Sequence, residues 1–174
     1  MICIEWSMLE MLLSLSYSLL VFGNRPESDQ AEVIVIEGFE SLATWNAKAN
    51  LMTAAAKFRF GEETAKDLTK LLKKLRNIQE RRNNVVHARW FTSKTEPGKW
   101  IRRRTFLGTH GAQVYDAACF TTLSDDIRSG MTMLNNFFAK LRERLQLEAD
   151  LYHKQFMEMI EALKTEESKD TPES

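Results

Sequence analysis

Apolar residues recur at steps of three and four along four long stretches of this chain, a period that suits amphipathic helices and little else. Ile4, Met8, Leu12, Leu15, Leu19 and Phe22 predict a first helix over about 3–22, stopped by Gly23-Asn24-Arg25-Pro26. Asp29-x-x-Glu32 has the form of a capping signal. Behind it Val35, Phe39, Leu42, Trp45, Ala49, Met52 and Ala56 predict one long second helix ending near Gly61. Leu68, Leu71, Leu75, Ile78, Arg82 and Val85 mark a third, from Glu62 to about His87. The last begins at a Thr122-Leu123-Ser124-Asp125 cap. Its stripe is Leu123, Ile127, Met131, Leu134, Phe138, Leu141 and Leu145, resumed by Tyr152, Phe156, Met159 and Leu163. Run straight, 122–164 would reach roughly 65 Å. It therefore either breaks near 147–150 or projects as an arm against a second subunit.

Between the third and last helices the period changes. Trp90-Phe91-Thr92 and Trp100-Ile101-Arg102 flank Glu96-Pro97-Gly98-Lys99, where proline then glycine fits the centre of a type II turn. A small β-hairpin is expected at about 88–106, leaning on the helices because a lone hairpin is marginal. Gly108 to Gly111 reads as a loop, and Val114 to Phe120 as a connecting helix or extended piece. The expectation is an all-α fold: one domain over 1–164, an antiparallel bundle of about four to five helices with a hairpin insertion. Residues 165–174 read as a disordered acidic tail.

With 174 residues, 44% of them hydrophobic and 28% charged, the chain can bury a core without staples. Cys3 and Cys119 form neither a disulfide framework nor a metal spacing, and the histidines have no cysteine pair nearby. No cofactor or metal is expected, and a reducing cytoplasm fits best. The apolar run from Met11 to Phe22 spans 12 residues, too short for a bilayer. Glu5 and Glu10 precede it where a signal peptide would carry basic residues. A buried core helix and no membrane association follow.

Charge is balanced overall and unevenly placed. Residues 70–104 hold 12 of the 24 Lys and Arg against Glu80 and Glu96, whereas 1–40 hold seven acids against Arg25. Such a patch suits a polyanion partner, or else a helix face neutralised by the acidic ends of the same protein.

The chemistry concentrates in Arg81-Arg82-Asn83-Asn84-Val85-Val86-His87. Arg82 falls on the apolar stripe of its helix, where an unpaired cation is costly, so it should find a partner. Cleaving RNA without a metal takes a base for the 2′-hydroxyl, an acid for the leaving oxygen and a cation for the phosphate. Histidine, ordinarily titrating near ~6.5, serves as base or acid. Arginine's planar fork matches phosphate oxygens, and Asn83 shares a helix face with His87 at i,i+4. Five residues apart on an unbroken helix, Arg82 and His87 would diverge by about 140°. They converge only if the helix ends before His87, or if two copies meet in a dimer, which would also supply both acid and base. Arg103 and Arg104 precede His110 at similar spacings, but between glycines and outside any periodic helix.

Arg82-Asn83-Asn84-Val85-Val86-His87, near the end of a helix in an antiparallel helical chain, resembles the HEPN domain family. Its pattern is arginine, a polar residue, then histidine four to six after the arginine. The resemblance implies a helical bundle that commonly dimerises. It also implies metal-independent endoribonuclease activity in many members, often within toxin–antitoxin or antiviral systems. Arg82 and His87 would then be the catalytic pair, supported by Asn83. Members paired with nucleotidyltransferase-type antitoxins often carry tyrosine two residues after the histidine, where this chain has Arg89.

The expected function is a HEPN-type ribonuclease acting at a homodimer interface, under an antitoxin or regulatory protein. Arg81, Arg89, Lys94, Lys99, Arg102, Arg103 and Arg104 would contact RNA. The alternative is a non-catalytic helical module whose basic 70–104 region binds nucleic acid or an acidic protein. Trp90 and Trp100 are expected to pack the hairpin onto the bundle rather than stack on bases, and His153 to be an ordinary helix histidine.

Overall fold

A computed structural model describes residues 2–23, 29–94, 96–103 and 112–167, the side chains of 103, 112 and 160–167 excepted. In chain order come α1 (Ile2–Phe22), α2 (Asp29–Glu40), α3 (Trp45–Phe60), α4 (Glu62–Val86), β1 (Arg89–Thr92), β2 (Trp100–Arg103), β3 (Ala112–Tyr115) and α5 (Ala117–Glu167). The fold is an all-α bundle with a small antiparallel sheet. Helix α1 packs on α2, α3 and α5, and α4 lies between α3 and α5.

Helix α4 follows its predicted stripe, with Leu68, Leu71, Leu75 and Ile78 buried. In α5, Leu123, Ile127, Leu134, Phe138 and Leu141 are buried at the predicted spacing. The turn between α3 and α4 is a single residue, Gly61, whose φ of 88° favours glycine; its N–H returns to the Lys57 carbonyl at 3.1 Å.

Several expectations change. The single helix expected from Asp29 to Gly61 is two. Thr44 interrupts it, with an extended backbone (φ −120°, ψ 144°) and a hydroxyl that accepts from the Ala47 N–H at 3.2 Å, an N-cap that restarts the helix. The apolar period runs on across the joint, and so conceals it.

Helix α1 has the predicted length but a different buried face. Trp6, Leu9, Leu13 and Leu20 are inside, while Ile4, Met8 and Leu15 are exposed. A helix apolar nearly all round has no stripe to set its rotation. By length and composition α1 could cross a bilayer, but half of its apolar window is buried inside the bundle, as in a core helix.

The last helix starts at Ala117 rather than Thr122. Asp116 accepts from the Cys119 N–H at 3.0 Å, and this bond also lowers the Asp116 pKa. Thr122 sits inside the helix and donates to the Ala118 carbonyl at 2.9 Å. The helix runs unbroken for 51 residues, roughly 77 Å. Every described side chain from Gln146 to Met159 is exposed, so the helix projects instead of breaking near 147–150. It also takes in 165–167, placed in the tail above; 168–174 lie outside the described residues.

The sheet has three strands in the order β1-β2-β3, one more than the hairpin expected. Arg89 opposes Arg103, Trp90 opposes Arg102 and Thr92 opposes Trp100; across β2, Arg102 opposes Gln113 and Trp100 opposes Tyr115. The β1–β2 turn is as predicted, with Gly98 at φ 80° and the Lys99 N–H bonded to the Glu96 carbonyl at 3.2 Å. Phe120 of α5 meets Trp90, Tyr115 and Trp100 with ring centres 5.4, 5.8 and 5.7 Å away, an aromatic cluster that seats one sheet face on the bundle.

Candidate functional site

Helix α4 ends at Val86. His87 is its cap residue, with backbone φ −97° and ψ 13° and its N–H on the Asn83 carbonyl at 3.1 Å. Its side chain is exposed. The ladder thus releases the chain at the histidine, and β1 begins two residues on. Trp90 secures this exit by donating from Nε1 to the Val85 carbonyl at 3.0 Å.

Arg82 is half-buried on the core side of α4. Its guanidinium carbon lies 5.9 Å from the ring centre of Trp6, in cation–π range. Nη1 donates to Asn83 Oδ1 at 3.1 Å, and Nε is buried with no hydrogen-bond partner among the described residues. The partner demanded by its place on the apolar face is therefore an aromatic ring and an amide, and no carboxylate pairs with it among the described residues. The charge stays available to an anion. Asn83 spends its side-chain oxygen on Arg82. Among the described residues no hydrogen bond joins Arg82 or the Asn83 side chain to the His87 imidazole.

Trp6 was absent from the sequence-derived site. Nothing in its neighbourhood marks it, because its contact with Arg82 spans α1 and α4. Its neighbour Glu5, buried at 7% exposure, accepts from Ser124 Oγ and from Arg128, with Nε at 2.8 Å and Nη2 at 2.6 Å. The Ser124 hydroxyl, with Arg128 adding to it, holds the Glu5 carboxyl below the ordinary range. This network clamps α1 to α5 beside Trp6.

The residues expected to contact RNA divide. Arg89 and Lys94 are exposed, with no ion pair among the described residues. Arg81 is paired with Asp126 of α5, and Lys99 with Glu96 across its own turn. Arg102 is buried at 6% exposure and is no surface contact. Arg103 is placed only by its register opposite Arg89, and Arg104 and His110 lie outside the described residues. Among the described residues, the ion pairs of the basic region reach Asp67, Glu80, Glu96 and Asp126, none of them in the acidic ends 1–40 or 143–174. His153 is exposed on the arm.

Arg102 opens onto a cleft of about 420 Å³ between the end of α4, the sheet and the first turns of α5. Arg81, Asn84, Gln113, Tyr115 and Thr122 share it with the apolar Val85 and Leu123. The third strand supplies Gln113 and Tyr115, whereas the connecting helix or extended piece expected from the sequence begins only at Val114. Compared with models of known protein families, with curated proteins and with solved structures, the chain matches none.

Proposed function

We propose that the protein is a metal-independent endoribonuclease of HEPN type, working as a cytoplasmic homodimer. The observation that carries this is Arg82: a guanidinium near the end of α4, oriented by Asn83 and Trp6, with no carboxylate to neutralise it among the described residues, five residues before an exposed histidine at the helix end. In the reaction proposed, one His87 takes the proton of the 2′-hydroxyl. The 2′-oxygen then attacks phosphorus and the bond to the 5′-oxygen breaks. The second copy's His87 protonates that oxygen, leaving a cyclic phosphate and a free 5′-hydroxyl. Arg82 stabilises the charge gathering on the phosphoryl oxygens. Arg89 and Lys94 offer the exposed cations that would track the RNA backbone.

Exposed apolar side chains support the dimer. Ile4, Met8, Met11 and Leu15 line one face of α1, and Leu147, Leu151, Tyr152, Phe156 and Met159 stand out on the α5 arm. A second copy would remove them from water. Any antitoxin or regulatory protein would act on the same assembly.

A non-catalytic RNA- or acidic-protein-binding module is the second reading, favoured by the register that sets Arg89 opposite Arg103, like charges that an anion would relieve. Purified protein incubated with mixed RNA in EDTA, beside an Arg82→Ala/His87→Ala variant, separates the two. Cleavage by the wild type alone is the expected result. Equal cleavage by both proteins, or by neither, removes the catalytic assignment. Salt-sensitive RNA binding without turnover would then establish the module.

A further inference from the structure

Arg102 brings a full charge into the interior and meets there an aromatic ring and neutral acceptors, its guanidinium carbon 5.8 Å from the Tyr115 ring centre. At 6% exposure it has lost nearly all contact with water. Nη1 reaches Tyr115 Oη at 3.2 Å and the Asn84 carbonyl at 3.5 Å, a weak pair of neutral acceptors, and Nε has no partner among the described residues. No carboxylate pairs with it among the described residues. Asp126 is paired with Arg81, which lines the same cleft. Segment 104–111, which follows β2 directly, contains no Asp or Glu. Desolvating an ion without a counter-charge is among the costlier things a fold can do. The position makes physical sense when the counter-ion arrives from outside.

The surroundings specify what kind of counter-ion. Arg102 lies in the wall of a cleft of about 420 Å³, within the range of small-molecule sites and far above what one inorganic ion fills. Its lining includes the polar groups Arg102, Arg81, Gln113 and Tyr115 and the apolar Val85 and Leu123. Tyr115 already donates to Gln113 Oε1 at 3.3 Å and accepts from Arg102, so these groups stand as a connected set.

We propose that this cleft is a binding site for a small organic anion. A phosphate or carboxylate head would be held by Arg102 and flanked by Arg81, on an apolar or aromatic body that packs against Val85 and Leu123. The guanidinium fork is suited to either head group. The site stands apart from RNA cleavage and uses neither Arg82 nor His87.

Isothermal titration of the full chain with uridine 5′-monophosphate, benzoate, inorganic phosphate and uridine tests it. Two variants serve, each checked for fold by circular dichroism: Arg102→Gln, which removes the charge, and Thr122→Phe, which fills the cleft from an exposed helix position. The monophosphate or benzoate is expected to bind at about 1 mM or tighter, with uridine and inorganic phosphate each about tenfold weaker or worse. Both variants should lose about tenfold or more. If Arg102→Gln does not fold, Thr122→Phe and the comparison with uridine decide. Absence of binding by both organic anions overturns the proposal. So does uridine binding as well as its monophosphate with benzoate silent, or binding that survives Thr122→Phe.

Discussion

The guanidinium of Arg82 lies 5.9 Å from the ring centre of Trp6, so the cation of the candidate site on α4 rests on a side chain from α1, 76 positions earlier. Trp6 is 2% exposed and cannot move aside without opening the core. The contact thus ties the site's geometry to the packing of the first helix.

That contact should be measurable as a coupling. In a double-mutant cycle with Arg82→Met and Trp6→Leu, followed by urea unfolding, the pair should show an interaction of about 1 kcal/mol. Strict additivity would mean that the ring does not hold the cation.

Glu5 should make stability depend on acid. Its carboxyl is held below its ordinary value of 4.5, first by the Ser124 hydroxyl and then by Arg128. A carboxylate depressed in the folded state stabilises fully above its unfolded pKa, and the gain disappears as pH falls through the folded one. Glu5→Gln should therefore cost roughly 2 kcal/mol near neutrality, and its gap from the wild type should close as the pH falls below the ordinary carboxylate range. A gap that widened with acid would contradict the assignment.

Helix α4 packs tightly on α5 at Gly130. A Cβ there would stand 2.8 Å from Leu75 Cδ2 and 3.3 Å from Ile78 Cδ1, and Leu75 is fully buried. Gly130→Val should destabilise by roughly 2 kcal/mol through overpacking, despite valine's better helix propensity. A melting temperature at or above the wild type would show that α4 has room to shift.

The arm should report on association. Leu151→Lys and Phe156→Lys each place a charge among exposed apolar residues of α5 outside the bundle core. Sedimentation is expected to show a wild-type dimer and monomeric variants, with the circular dichroism unchanged. A wild type that stays monomeric at about 100 µM would remove the basis for a shared active site.

The chain's own pattern was enough for the class of the fold. Steps of three and four located α1, α4 and α5 within a few residues, because burying one face of a helix imposes that period on the sequence. The Pro97–Gly98 turn was equally legible, since positive φ at the third turn residue calls for glycine. The joint at Thr44 was not. A short break between two helices can preserve the phase of an apolar stripe, and one threonine is a weak signal against it.

The site was legible as a cluster of residue types and no further. Arg82, Asn83 and His87 announce a cation, an amide and a titrating group on one short segment, and the local code also ends the helix near the histidine. Which face of α1 turns inward, whether Trp6 lies beneath Arg82, and whether Arg102 meets solvent or a buried cleft depend on contacts between segments tens of residues apart. Local sequence sets period, caps and turns because these are interactions within a few residues. Burial and charge pairing are settled only when distant helices pack, and there the tertiary structure turned one of the predicted surface arginines into an interior cation.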